Sequence, residues 1–162
     1  PIQAGDRAPI LAFLKKSGFF RPDELDIARE VLDASIAKGA QGHYQSYVAE
    51  EKGQPVGWVC CGRTPGTLRT FDLYWIAVNP RRQGRGLGRF LMRHAAEVVR
   101  QHNGRILVIE TSGRPVYDDT NKFYLHMGFR EAARLKDFYA PGDDKVIYMQ
   151  TLNGKPDKGD HA

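Results

Sequence analysis

Residues 72–94 read Asp-Leu-Tyr-Trp-Ile-Ala-Val-Asn-Pro-Arg-Arg-Gln-Gly-Arg-Gly-Leu-Gly-Arg-Phe-Leu-Met-Arg-His. The stretch begins as an apolar strand, breaks at Asn79-Pro80, passes through a basic glycine-rich turn and continues as an amphipathic helix. Gly84, Gly86 and Gly88 have no Cβ, so the backbone can curl there and approach a ligand closely. The turn opens a helix, which leaves several N–H groups without intrahelical partners at the positive end of the dipole. Such an arrangement binds phosphate, and Arg81, Arg82, Arg85 and Arg89 bring further positive charge. A strand before the turn and a helix after it give the glycines more weight than the pattern alone.

Upstream, residues 7 to 17 fit a short helix with Ile10, Leu11 and Leu14 on one face, Asp6 as its N-cap and Gly18 as its stop. Phe19-Phe20-Arg21-Pro22 connects it to a second helix, from about 23 to 37, striped by Ile27, Ala28, Val31, Leu32, Ser35 and Ile36 and ended by Gly39. From Tyr44 the period changes to that of strands. Residues 44–50 and 56–61 form a hairpin across Glu51-Lys52-Gly53-Gln54, and 68–78 is the long strand entering the glycine turn. Downstream, a helix over 87–101 turns Phe90, Leu91, Ala95, Val98 and Val99 to the core and stops at Asn103-Gly104. Ile106 to Ile109 is a continuous apolar run, as a strand buried on both faces requires. Asp118 or Asp119 caps a short helix carrying Phe123 and Tyr124, and two strands follow near 130–138 and 146–152. The sequence thus reads as one domain over residues 1–152 followed by a polar tail, 153–162.

With 162 residues, the chain is long enough to bury about two-thirds of its unfolded surface. No apolar run reaches the ~20 residues that span a bilayer and no leader pattern opens the sequence, so no membrane partner and a cytoplasmic location are expected. The formal charge of +5 is modest and its basic residues gather between Arg81 and Arg105. A compact basic cluster on a glycine turn suits a small polyanion, whereas nucleic acid asks for a broad basic face with stacking aromatics. Cys60 and Cys61 are adjacent inside an apolar strand, where neighbouring side chains face opposite ways; they read as buried packing. His43, His94, His102, His126 and His161 are scattered without metal-ligand spacing, so no metal is expected. A dinucleotide fingerprint, Gly-x-Gly-x-x-Gly, would need glycine at 89, where the chain has Arg89.

Two blocks in this order carry a family resemblance. Gln83-Gly84-Arg85-Gly86-Leu87-Gly88 matches Gln/Arg-x-x-Gly-x-Gly/Ala, and Phe123-Tyr124-Leu125-His126-Met127-Gly128-Phe129 matches a short helix ending in Phe-Tyr-x-x-x-Gly-Phe/Tyr. Over roughly residues 43 to 152 the sequence resembles the GCN5-related N-acetyltransferases, which move acetyl groups from acetyl-CoA to amines. The resemblance implies an α/β (α+β) fold with a mixed, mostly antiparallel central sheet of six to seven strands and helices on both faces. It implies acetyl-CoA as cofactor, held by Gln83 to Arg89 at the pyrophosphate and by the backbone of Ile76, Ala77 and Val78 along the pantetheine arm, with the Val78 N–H serving the acyl oxygen. Asn121 and Tyr124 would also touch the cofactor, and Tyr124 would be the general acid. The family asparagine seven residues before that tyrosine is replaced here by Tyr117.

For the base, two carboxylates stand open. Asp72 occupies the position, eleven residues before Gln83, at which histone-modifying members carry glutamate; Glu110 ends the central strand. The first helical pair lies over the acceptor in that family, so Phe19 and Phe20, with Asp72 and Glu110, are candidates for substrate contact. The acidic residues of the second helix and Asp137, Asp143 and Asp144 would attract a cationic small-molecule or peptide amine. The expected activity is acetyl-CoA-dependent N-acetyl transfer to a primary amine, in a stand-alone enzyme of a family that is often dimeric. The alternative is a non-enzymatic acyl-CoA sensor of the same fold.

Overall fold

Apolar residues at helical and strand periods become four helices and six strands in the computed structural model, which describes residues 1–152. In chain order these are α1 (Arg7–Ser17), α2 (Pro22–Lys38), β1 (Gln45–Glu51), β2 (Gln54–Arg63), β3 (Thr70–Val78), α3 (Leu87–Gln101), β4 (Ile106–Ser112), α4 (Asp118–His126), β5 (Arg130–Ala140) and β6 (Asp143–Thr151). The strand order is β1-β2-β3-β4-β6-β5, with β1–β2, β4–β6 and β5–β6 antiparallel. The fold is α/β, with a six-stranded, mostly antiparallel sheet flanked by helices. The polar tail expected at 153–162 lies outside the described residues. The chain divides into two compact units, one of Pro1–Gly62 with Leu73–Ala95, the other of Arg63–Asp72 with the chain from Ala96 onward.

In the first unit, α1 and α2 bury Ile10, Phe13, Leu14, Ala28, Val31 and Leu32 against Trp58 and Cys60 of β2. Full burial of each large apolar side chain contributes about 1.5–3 kcal/mol. Trp58 keeps its burial favourable by donating its indole N–H to Ser46 Oγ at 3.1 Å. Ser46 in turn shares a hydrogen bond with Ser35, whose hydroxyl also donates to the Val31 carbonyl at 2.7 Å. Gly18, at φ +65°, ends α1 with its N–H on the Lys15 carbonyl. Asp6 stands at the N-cap position of α1, as expected, but its carboxylate makes no capping bond to that helix; it accepts the Gln3 N–H at 2.7 Å and so closes the 3₁₀ turn before it. One sequence expectation is corrected here. Ile27 is exposed, and Leu25 packs against the core from the same helix instead.

In the second unit, β6 pairs with β4 from Ile106 opposite Thr151 to Ser112 opposite Lys145, and the β5–β6 hairpin turns at Pro141-Gly142. Leu107, Ile109, Val146 and Tyr148 are buried. Gly104 follows Asn103, whose φ is +57°, and leaves no room for a side chain: a Cβ there would meet Val99 Cγ1 at 2.2 Å and the Val99 carbonyl at 2.8 Å. The apolar stripe of α3 consists of Leu91, Met92, Ala95, Ala96, Val98 and Val99, and Phe90 is 60% exposed, contrary to the sequence expectation. At 3.6 residues per turn, Phe90 falls on the side opposite the centre of that stripe. Nor do Asp118 and Asp119 cap α4. Tyr117 holds the cap position without a side-chain bond, and both aspartates lie in the first turn, where they face the positive end of the dipole.

Candidate functional site

The glycine turn is built from β3 outward. The Asn79 N–H donates to the Val56 carbonyl at 2.8 Å, its own carbonyl accepts the Arg82 N–H at 2.8 Å, and its side chain accepts the Arg81 N–H at 3.1 Å. These bonds fold Pro80–Arg82 into a 3₁₀ turn and leave Gln83 extended. Gly84 and Gly86 then adopt φ of +75° and +81°, conformations that L-residues enter only at a cost. A Cβ on either glycine would meet nothing within 4 Å, so the approach to the loop is open. The Gly86 carbonyl accepts the Phe90 N–H at 2.9 Å, which is the start of the α3 ladder. Arg82 is engaged by Glu51 at 3.0 Å. Among the described residues, the side chains of Arg81, Arg85 and Arg89 make no ion pair, and all three are exposed. An open loop, guanidinium groups without ion pairs among the described residues and the dipole of α3 fit a pyrophosphate.

Ile76, Ala77 and Val78 are half-buried on the stretch of β3 that enters this loop, and Ala77 packs against the α1–α2 core. Phe20 lies against Trp75, with ring centroids 5.2 Å apart, and Phe19 meets Phe20 edge-on at 5.2 Å. Both phenylalanines are half-buried.

In the second unit, Tyr124 is 5% exposed, between Phe123, Phe129 and Tyr148. Burial, with smaller contributions from Tyr117 and Tyr148, pushes its phenol well above the ordinary tyrosine value, so the group stays protonated at neutral pH. Among the described residues its hydroxyl makes no hydrogen bond. One turn earlier, Asn121 donates to the Ser112 carbonyl at 3.3 Å, while its buried Oδ1 has no hydrogen-bond partner among the described residues. An amide N–H, of the kind a pantetheine arm carries, would satisfy that oxygen.

Both candidate bases have partners. Asp72 accepts the Thr64 hydroxyl at 2.7 Å, and Glu110 forms an ion pair with Lys145. Several of the acidic residues expected to attract a cationic amine are engaged as well. Asp23, Asp26 and Asp33 pair with Arg21, Arg29 and Arg7. Asp143 is buried with Ser112 and Arg114, and Asp137 and Asp144 bond backbone N–H groups of the β5–β6 hairpin. One polar pair was not singled out from the sequence: His43 Nε2 lies 2.7 Å from Tyr74 Oη. No local spacing announces it, because the fold alone brings the two side chains together.

A family model for the acetyltransferase (GNAT) domain matches residues 42–131. The chain belongs to the GNAT family of acetyltransferases. A crystal structure from Desulfovibrio desulfuricans, assigned to this GNAT family, is 42% identical, with 92% of this chain and 94% of that one covered and a TM-score of 0.88. The aminoglycoside 6'-N-acetyltransferase of Enterococcus faecium shares the fold at 15% identity, with 93% of both chains covered and a TM-score of 0.73. An aminoglycoside 6'-N-acetyltransferase complexed with coenzyme A does so at 14% identity, over 94% of this chain and 92% of that one, with a TM-score of 0.70. Among curated proteins, none matches the chain.

Proposed function

We propose that this GNAT chain transfers the acetyl group of acetyl-CoA to a primary amine by direct attack of the neutral amine on the thioester. The observation that carries the reading is the loop before α3: two glycines in left-handed conformations with open space above them, and Arg85 and Arg89 with no ion pair among the described residues. Acetyl-CoA, when bound, supplies an activated acyl group. Gln83 to Arg89 would hold its diphosphate, and Asn121 Oδ1 would accept an amide N–H of its arm. The backbone of Ile76 to Val78 would run beside that arm, the Val78 N–H directed at the acyl oxygen. Tyr124 Oη would give a proton to the departing sulfur. Phe19 and Phe20 would line the acceptor side.

Calorimetry with acetyl-CoA, followed by thiol release across a panel of primary amines, tests the reading. Binding together with amine-dependent thiol release is the expected result. Binding with no turnover on any amine would leave a chain that senses acyl-CoA, and absence of binding would remove the cofactor assignment as well. Tyr124→Phe keeps the ring in its aromatic setting and removes the proton. The expected effect is a fall in kcat of about 100-fold with the acetyl-CoA affinity kept.

A further inference from the structure

His43, just before β1, and Tyr74, in β3, form the contact that the glycine loop and Tyr124 leave without a role. Their Nε2–Oη separation is 2.7 Å, His43 is exposed and Tyr74 half-buried. Tyr44 packs against both rings, at centroid distances of 5.0 Å and 5.1 Å. Gly62 of β2 makes the arrangement possible, since a Cβ there would lie 2.5 Å from the His43 carbonyl and 3.0 Å from the Tyr74 ring. Tyr44 and Tyr74 border the same core that α1 and α2 bury, as do Phe20 and Trp75. Tyr74 therefore stands on the aromatic side of this unit. It is two residues, about 7 Å of strand, from Ile76, beside which the acyl arm is proposed to run.

We infer that the Tyr74–His43 pair receives the proton of the acceptor amine, an inference that rests on the acetyl-transfer reading above. The amine presents an N–H to Tyr74 Oη, and the Tyr74 hydroxyl donates to His43 Nε2. As the nitrogen lone pair forms the new C–N bond, the amine proton passes to Tyr74 Oη and the phenolic proton to His43 Nε2. Tyr74 ends neutral and His43 ends as imidazolium, which returns its proton to water from an exposed ring. The C–S bond breaks with its electron pair on sulfur, and sulfur takes a proton from Tyr124, which water replaces. Imidazole is the side chain whose charge changes near neutral pH, as a recycling base requires. The two carboxylates considered for this task each already hold a partner.

The groups facing His43 are the rings of Tyr44 and Tyr74 and the Gly62 backbone; among the described residues no ion pair reaches it. The test compares wild type, His43→Gln, Tyr74→Phe and the double variant. Acetyl-CoA affinity is read by calorimetry, and kcat/KM is measured with the best amine across about pH 5 to 9, a range that includes the one in which an imidazole changes charge. The expected result is an unchanged cofactor affinity, a loss of about 100-fold in kcat/KM for each single variant, and loss of the acidic limb of the profile in His43→Gln. The double variant is expected to be no slower than the slower single one, because the pair acts as a unit. Single variants within about threefold of wild type, with the acidic limb intact, would overturn the inference and leave acetyl transfer standing. A wild type that binds acetyl-CoA and acetylates nothing would overturn both. His43 is exposed, so His43→Gln tests the pair even where Tyr74→Phe disturbs packing.

Discussion

At the scale of single residues, chemistry here is decided by who else is near. Cys60 and Cys61 illustrate this. Burial raises their thiols to about 11 and about 12, against a usual value near 9. The thiolate is the reactive form, so both cysteines are expected to resist iodoacetamide at pH 8 in the folded chain and to react on unfolding in urea. Rapid labelling of the native protein would contradict the buried strand. The sequence showed these two as packing because they sit in an apolar run. It showed Tyr124 and the loop glycines because a motif fixes their spacing. It could not show that Glu110 meets Lys145, since that contact depends on the β4–β6 register, nor that His43 meets Tyr74 across 31 positions.

The next scale is that of the element, where sequence periods were most legible and the local exceptions instructive. The boundaries of α1 and α3 follow the hydrophobic spacing directly, whereas Phe90 reads as core only because it is apolar. The helix phase put Met92 and Ala96 there instead. The stop of α3 is the tightest point in its surroundings. Gly104→Ala would drive a Cβ into the Val99 side chain and its carbonyl and against Phe71, and is expected to cost about 1–3 kcal/mol as overpacking. A fall in the urea midpoint with an unchanged slope would show it. Gly5 offers the control, because a Cβ there meets nothing. At the other end of α3, an Arg85→Gln/Arg89→Gln variant removes two charges that no ion pair neutralises among the described residues. It is expected to weaken acetyl-CoA binding at least tenfold at low salt and to flatten the salt dependence of that binding, with the thermal midpoint unchanged. An affinity equal to wild type would detach these arginines from the ligand.

For the whole molecule, titration links many such details into one curve. Asp23, Asp33 and Asp144 are held below the ordinary carboxylate range, Asp23 and Asp33 chiefly by hydrogen bonds from Arg21 and Arg7 and Asp144 chiefly by the Asp137 N–H. Depressed carboxylates add stability above their unfolded pKa and lose it as pH falls through the folded value. Asp23 and Asp33 are exposed and Asp144 half-buried at the surface, so solvent screening keeps this acid-side effect small. The alkaline side differs. The thiols of Cys60 and Cys61 and the phenol of Tyr124 are all raised by burial. A group whose folded pKa is raised gives stability that is complete below its unfolded pKa and is lost as pH rises toward the folded value. For the two thiols that window runs from the usual value near 9 up to about 11 and about 12. Within it each thiol lowers the unfolding free energy by about 1.4 kcal/mol per pH unit, because the unfolded chain has released a proton that the folded chain keeps. Under reducing conditions, the urea midpoint is therefore expected to decline more steeply above pH 9 than between pH 6 and 8. A Cys60→Ala/Cys61→Ala variant, less stable at neutral pH because of the cavities, should show a shallower decline across the same window. An equal slope in the variant would mean that the thiols reach water in the folded chain, and the β2 core would then have to be looser than its packing indicates.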